Sequence, residues 1–171
     1  MAVDHERTLS TSQFPDDDGL AQPGTRAALA AAAAASVPTD YLRAVAALCL
    51  DRVLVPVVAT ATTTGQVRGG LLSDKEAEMA VVLLQAGDGR RAMLAFTGLD
   101  SLRSWDERAR PVPVTLDVAA KSAVADGAAA LLVDFAGPSP LVVDGDVLAE
   151  LALGHRLVEV AEGEFGWAMA G

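Results

Sequence analysis

The sequence predicts an α+β fold, a mixed α/β layer structure with an N-terminal helical hairpin followed by a mixed sheet with a central β-hairpin and short helices packed on it. Three observations carry this. An alanine-rich stretch and a second apolar-periodic stretch precede any strand-like run, and Val81-Val82-Leu83-Leu84 and Ala92-Met93-Leu94-Ala95-Phe96 flank the turn signal Gly87-Asp88-Gly89-Arg90. Beyond them, short helical patterns alternate with short apolar runs. Helices first and strands interleaved afterwards are the signature of packed helix-on-sheet layers.

Met1 to Gly24 is rich in Ser, Thr, Asp, Gln, Pro and Gly, and includes the charge run Asp16-Asp17-Asp18, so residues 1–24 are expected to form a disordered arm. From Thr25 the alanine run has high helix propensity but is short, so it must dock on a neighbour. Pro38 breaks it, and Thr39 is placed to cap a second helix with Leu42, Val45, Ala46 and Cys49 on one face. Arg52 to Val58 is dense in β-branched residues and reads as a strand, with Pro56 suggesting an edge or a kink. Thr60 to Gly70 reads as a mobile loop, and its glycines lack the Gly-Lys-Ser/Thr ending of a phosphate-binding loop.

The central hairpin has apolar residues at successive positions, which predicts cover on both faces. Thr97 and Asp100 then read as a reciprocal cap for a short helix with Leu99, Leu102 and Trp105 turned inward. Arg110-Pro111-Val112-Pro113-Val114 resumes an extended course. Asp117 is expected to cap a helix ending at Gly127, Ala130 to Phe135 to form a buried strand, and Leu141-Val142-Val143 another. Asp144 is expected to cap a helix stopped by Gly154. Residues 25–160 thus form one domain, and 161–171 a tail after a possible strand at Arg156 to Val160.

Thirteen basic against twenty-three acidic residues give a net charge of −10, which repels phosphate backbones and anionic membrane surfaces, so neither nucleic acid nor membrane is an expected partner. The polar, acidic start is unlike a secretory signal, and the Ala27 to Ala35 run is too short and too weakly apolar to cross a bilayer. The single cysteine, Cys49, sits among apolar residues and reads as a buried, inert thiol, which fits a cytoplasmic setting.

From Val53 to about Leu153 the chain resembles the N-terminal domain of the SseB, or enhanced serine sensitivity, family, of the single-domain actinobacterial type. The residues that carry the likeness are Val55-Pro56, Leu94-Ala95-Phe96-Thr97, Leu99 to Trp105, Arg110-Pro111-Val112-Pro113-Val114 and Pro140-Leu141-Val142-Val143. The resemblance implies no established catalytic chemistry. It also implies that the second domain carried by many members is missing from a chain ending at Gly171.

Candidate chemistry is sparse. The histidines, His5 and His155, have no motif around them, so no catalytic residue is expected. Asp134, Asp144, Asp146 and Glu150 are metal-ligand types, but their spacing matches no known loop and helix capping accounts for them, so no metal or cofactor is expected. Trp105, Arg108, Arg110 and Pro111 form the expected binding surface, since Trp and Arg dominate interface hot spots. Two functions follow: a non-enzymatic cytoplasmic protein-interaction or regulatory module, engaging a protein partner or a second copy, and a small-molecule or enzymatic domain with a pocket near Trp105, Arg110 and Asp134.

Overall fold

The computed structural model describes residues 13–60 and 78–169. The expected loop from Thr60 to Gly70 and the first half of the expected arm lie outside them, Thr60 excepted. Helices α1 (Pro23–Ala35) and α2 (Pro38–Leu50) pack as the expected hairpin. The alanine run ends at Ala35, as expected, and Pro38 itself opens the second helix. It occupies the first helical turn, where no N–H is needed, behind Val37, and Thr39 makes no capping bond.

Strand β1 (Arg52–Thr60) follows and lies between β2 (Glu78–Val81) and β5 (Arg110–Thr115), both antiparallel to it. Pro56 is therefore in a central strand, which removes the edge from the two readings, an edge or a kink, that its presence suggested. Leu54 exchanges both backbone hydrogen bonds with Phe96, at 2.7 and 2.9 Å, and pairing with β2 begins only at Val57. Pro56 points the same way as Leu54 and so falls in the gap where β1 changes partner, where no donor is needed. By the same alternation, its opposite number Pro111, and Pro113 opposite Leu54, turn their missing donors to the outer edge of β5.

The apolar run Val81 to Leu84 is two strands. Val82 separates β2 from β3 (Leu83–Gln85), which pairs with β4 (Arg91–Ala95) across the predicted turn, where Gly89 adopts φ +87°. β4 runs parallel to β6 (Ala130–Val133), which pairs antiparallel with β7 (Leu141–Asp144). Helix α3 (Leu99–Trp105) precedes β5, α4 (Leu116–Ala125) precedes β6, and α5 (Gly145–Ala152) follows β7. Both faces of the centre are covered. Val53, Val55, Met93 and Ala95 face a core shared with α2, α4 and α5, while Leu54, Leu94 and Phe96 face a smaller one with Leu102.

Three expected caps are corrected. Neither Thr97 nor Asp144 makes a side-chain capping bond, and Asp117 lies inside the first turn of α4, after Thr115. The tail forms strand β9 (Glu164–Met169), antiparallel to β8 (His155–Ala161), because Leu157 and Phe165 find cover against the larger core. Residues 13–24 are tied to the domain, by contacts that need partners distant in sequence.

Candidate functional site

Neighbouring parallel strands in α/β proteins gather ligands and chemistry at their carboxyl ends. Here β4 and β6 deliver Thr97 and Asp134 to adjacent positions, and the polar residues of the fold converge there. Asp134 is 3% exposed and holds φ +50°, a left-handed backbone tolerated by Asp more readily than by most residues. One carboxylate oxygen accepts from the Thr97 amide at 2.9 Å and the Ser101 hydroxyl at 2.7 Å, and the other from the Thr97 hydroxyl at 2.6 Å.

Arg26, from α1, closes this cluster. Its Nε donates to the Thr97 hydroxyl at 2.6 Å and lies 3.4 Å from Asp134, while its terminal nitrogens fork onto Asp100 at 3.0 and 2.7 Å. The Arg26 guanidinium holds the Asp100 carboxyl below the usual carboxylate range. Next to it, Arg52 is buried and engages Asp17 through both Nε and a terminal nitrogen, the latter at 2.9 Å. It also donates to the carbonyls of Thr97 at 2.6 Å and Leu20 at 2.8 Å. Its hydrogen bond likewise depresses the Asp17 carboxyl. The arrangement ties α1, β1, α3, the ends of β4 and β6 and the N-terminal segment together, and each charged group in it is matched by another of this chain.

Of the residues expected to bind a partner, Trp105 is half-buried, its ring stacked on Phe96 at 5.8 Å between centroids. Arg108, 94% exposed, stands 3.7 Å from Asp106, and Arg110 and Pro111 are exposed at the start of β5. Asp134, expected to line a pocket with Trp105 and Arg110, is instead buried, with Arg26 3.4 Å from its carboxylate. A groove of about 600 Å³ lies elsewhere, between residues 14–22 and a wall that includes Cys49, Arg52, Thr115 and Arg156. Burial pushes the Cys49 thiol up to about 11.

The four acidic residues weighed as metal ligands play different parts. Asp134 joins the cluster above, Asp144 ends β7, Asp146 lies in the first turn of α5, and Glu150 meets Nδ1 of His155 at 2.6 Å. Among the described residues, no three His, Cys, Asp or Glu side chains are grouped to hold a metal ion. Sequence reasoning missed Arg26, Arg52, Asp17 and Ser101, and read Thr97 and Asp100 as helix caps. The available signal was a polar Asp directly closing a buried apolar strand, which needs partners whose identity only the topology reveals.

Searches of curated proteins and of solved structures each gave no match. The model of one protein family, the SseB protein N-terminal domain, matches residues 25–150 of the 171. That span takes in α1 from Thr25 onward, α2, all of the strands from β1 to β7, and the Arg26, Thr97 and Asp134 cluster, so the chain belongs to the SseB N-terminal domain family.

Proposed function

We propose that this domain is a non-enzymatic protein-interaction or regulatory module that engages a protein partner, or a second copy of itself, through the surface carrying Arg108, Arg110 and Pro111 beside Trp105. One observation carries the reading: the polar groups at the carboxyl ends of β4 and β6 are saturated by the chain's own side chains. A catalytic site keeps a nucleophile, base or oxyanion donor turned to substrate. Here Ser101 and Thr97 spend their hydroxyls on Asp134, and Arg26 covers all three. The turn after α3 and the start of β5, by contrast, carry two exposed arginines within five residues of Trp105 on a strongly acidic protein. The pocket reading loses its anchor with Asp134 enclosed.

A cytoplasmic setting fits the lone buried thiol. Among the described residues, no helix is long and apolar enough to cross a membrane. The test is affinity capture with the intact chain, identification of the captured protein, and reconstitution of the pair from purified components. Arg108→Glu with Arg110→Glu should weaken the reconstituted pair at least tenfold without moving the melting temperature. A pair indifferent to both reversals, or a turnover activity that tracks Asp134, would overturn the reading.

A further inference from the structure

Residues 13–22 cross the domain as an irregular segment that turns at Pro15-Asp16 and again at Gly19, where φ is +75°. Gln13, Pro15, Asp16, Asp18, Leu20 and Gln22 are exposed or only partly covered, and Leu20 leaves 67% of its surface in solvent. Between them Phe14, Asp17 and Ala21 are half-buried and Gly19 is buried against Leu99. Polar anchors on fixed receptors add to this. The Asp17 carboxylate sits in the fork of Arg52, and the Leu20 carbonyl accepts from the same guanidinium at 2.8 Å. The Gly19 carbonyl accepts from the Leu99 amide at 2.8 Å.

The receptor is shaped for a chain laid across it. At Gly98 a Cβ would come within 3.0 Å of Ala21, so the missing side chain makes the notch in which the segment lies. On the segment's side, Gly19 holds φ +75° with Leu99 so close that a Cβ would meet its Cδ1 at 2.2 Å. Arg52 is itself held by the Thr97 carbonyl, independently of the segment. The guanidinium thus stays oriented when its carboxylate leaves, and the groove beside it continues along Thr115 and Arg156. Arg52, Thr97, Gly98 and Leu99 all lie within the region that matches the family model, whereas the segment they hold precedes its first residue, 25.

We propose that this surface is a docking site for acidic peptide segments, centred on Arg52, and that the chain's own residues 13–22 occupy it in cis. A partner presenting an Asp or Glu to Arg52, with two main-chain carbonyls following, competes with the built-in segment for the same donors. Binding of such a partner and release of residues 13–22 are one event. The site is distinct from the Arg108 to Pro111 surface.

The probe is a labelled synthetic peptide of residues 13–22, added to the full-length protein. The parent, with its site filled, binds it weakly. Asp17→Ala, which removes the internal carboxylate, binds it at least tenfold more tightly, and Arg52→Gln added to Asp17→Ala abolishes the gain. Gly19→Ala disrupts the segment while leaving Asp17 and Arg52 in place, and should give the same gain if Asp17→Ala folds poorly. A peptide carrying the Asp17→Asn change fails to bind in every case, and Arg110→Glu leaves all these affinities unchanged. Two outcomes overturn the proposal: Asp17→Ala and Gly19→Ala both bind the peptide no better than the parent, or the Asp17→Asn peptide binds as well as the acidic one.

Discussion

Asp134 combines a left-handed backbone at φ +50° with a carboxylate that accepts from three donors while 3% exposed. Asn tolerates that backbone region as well as Asp does, so Asp134→Asn isolates the loss of the charge. Hydrogen bonds to a charged group are worth about 1.5 to 3 kcal/mol. The Asn variant should lose about that much stability in urea titrations. Asp134→Ala, which strands the Thr97 and Ser101 donors beside Arg26 as well, should lose about 3 to 5 kcal/mol. An Asn variant within about 0.5 kcal/mol of the parent, the range of an ordinary surface change, would show that the cluster is not the tie described here. Little of this was legible beforehand, because the partners of Asp134 lie 37 and 33 residues away and nothing local marks them. Cys49 is the opposite case. Its apolar neighbours on a helix face announce burial, and its thiol, pushed up to about 11, is almost wholly protonated at neutral pH. It should react with a thiol reagent at neutral pH orders of magnitude more slowly than free cysteine, and at the free rate once the chain is unfolded in urea.

The elements themselves were easier to read. Apolar runs, the Gly87 to Arg90 turn and the Thr97 to Trp105 segment placed the hairpin and the short helix correctly, because each is set by neighbours within a few residues. Where tertiary pairing decides, local reading failed. Nothing local separates β2 from β3 at Val82, and Pro56 suits a central strand only because β1 changes partner there. The acidic segment around Asp17 reads as disordered by composition, and it is ordered by one arginine 35 residues away. Helix α3 tests the packing argument at this scale. Its Leu102 is fully buried, and Trp105 stacks on Phe96 while keeping one side in solvent. Truncating a buried tryptophan costs about 3 to 5 kcal/mol, so half-buried Trp105→Ala should cost about 2 to 3 kcal/mol. Thermal melts should show that loss, whereas Arg110→Ala should stay within about 0.5 kcal/mol of the parent. A Trp105→Ala variant that melted like the parent but lost its partner would make the tryptophan a surface hot spot instead.

Across the whole molecule, two electrostatic effects oppose each other as pH falls. The net charge of −10 at neutral pH works against compactness, and titration toward the isoelectric point near 4.5 relieves that repulsion. The ion pairs act in the other direction. The Asp17 carboxyl is depressed chiefly by its hydrogen bond from Arg52, and the Asp100 carboxyl by that from Arg26. A carboxyl depressed on folding contributes stability that is fully present above its unfolded value, near 3.8, and that is lost as pH falls through its lower folded value. The arginines, pushed further up by the same contacts, stay charged throughout and add no slope in this range. The melting temperature should therefore hold or rise slightly from about pH 7 to about pH 5, then fall below about pH 4 as the two pairs are protonated. Residues 13–22 should become protease-sensitive first, since Asp17 is their principal anchor while Arg26 and Asp100 also join α1 to α3. Asp17→Asn should already show that sensitivity at pH 7 and lose part of the acid slope. If the parent kept its neutral melting temperature at pH 3, or if Asp17→Asn retained the full slope, the Asp17 and Arg52 pair would not be the acid-labile tie between the segment and the domain.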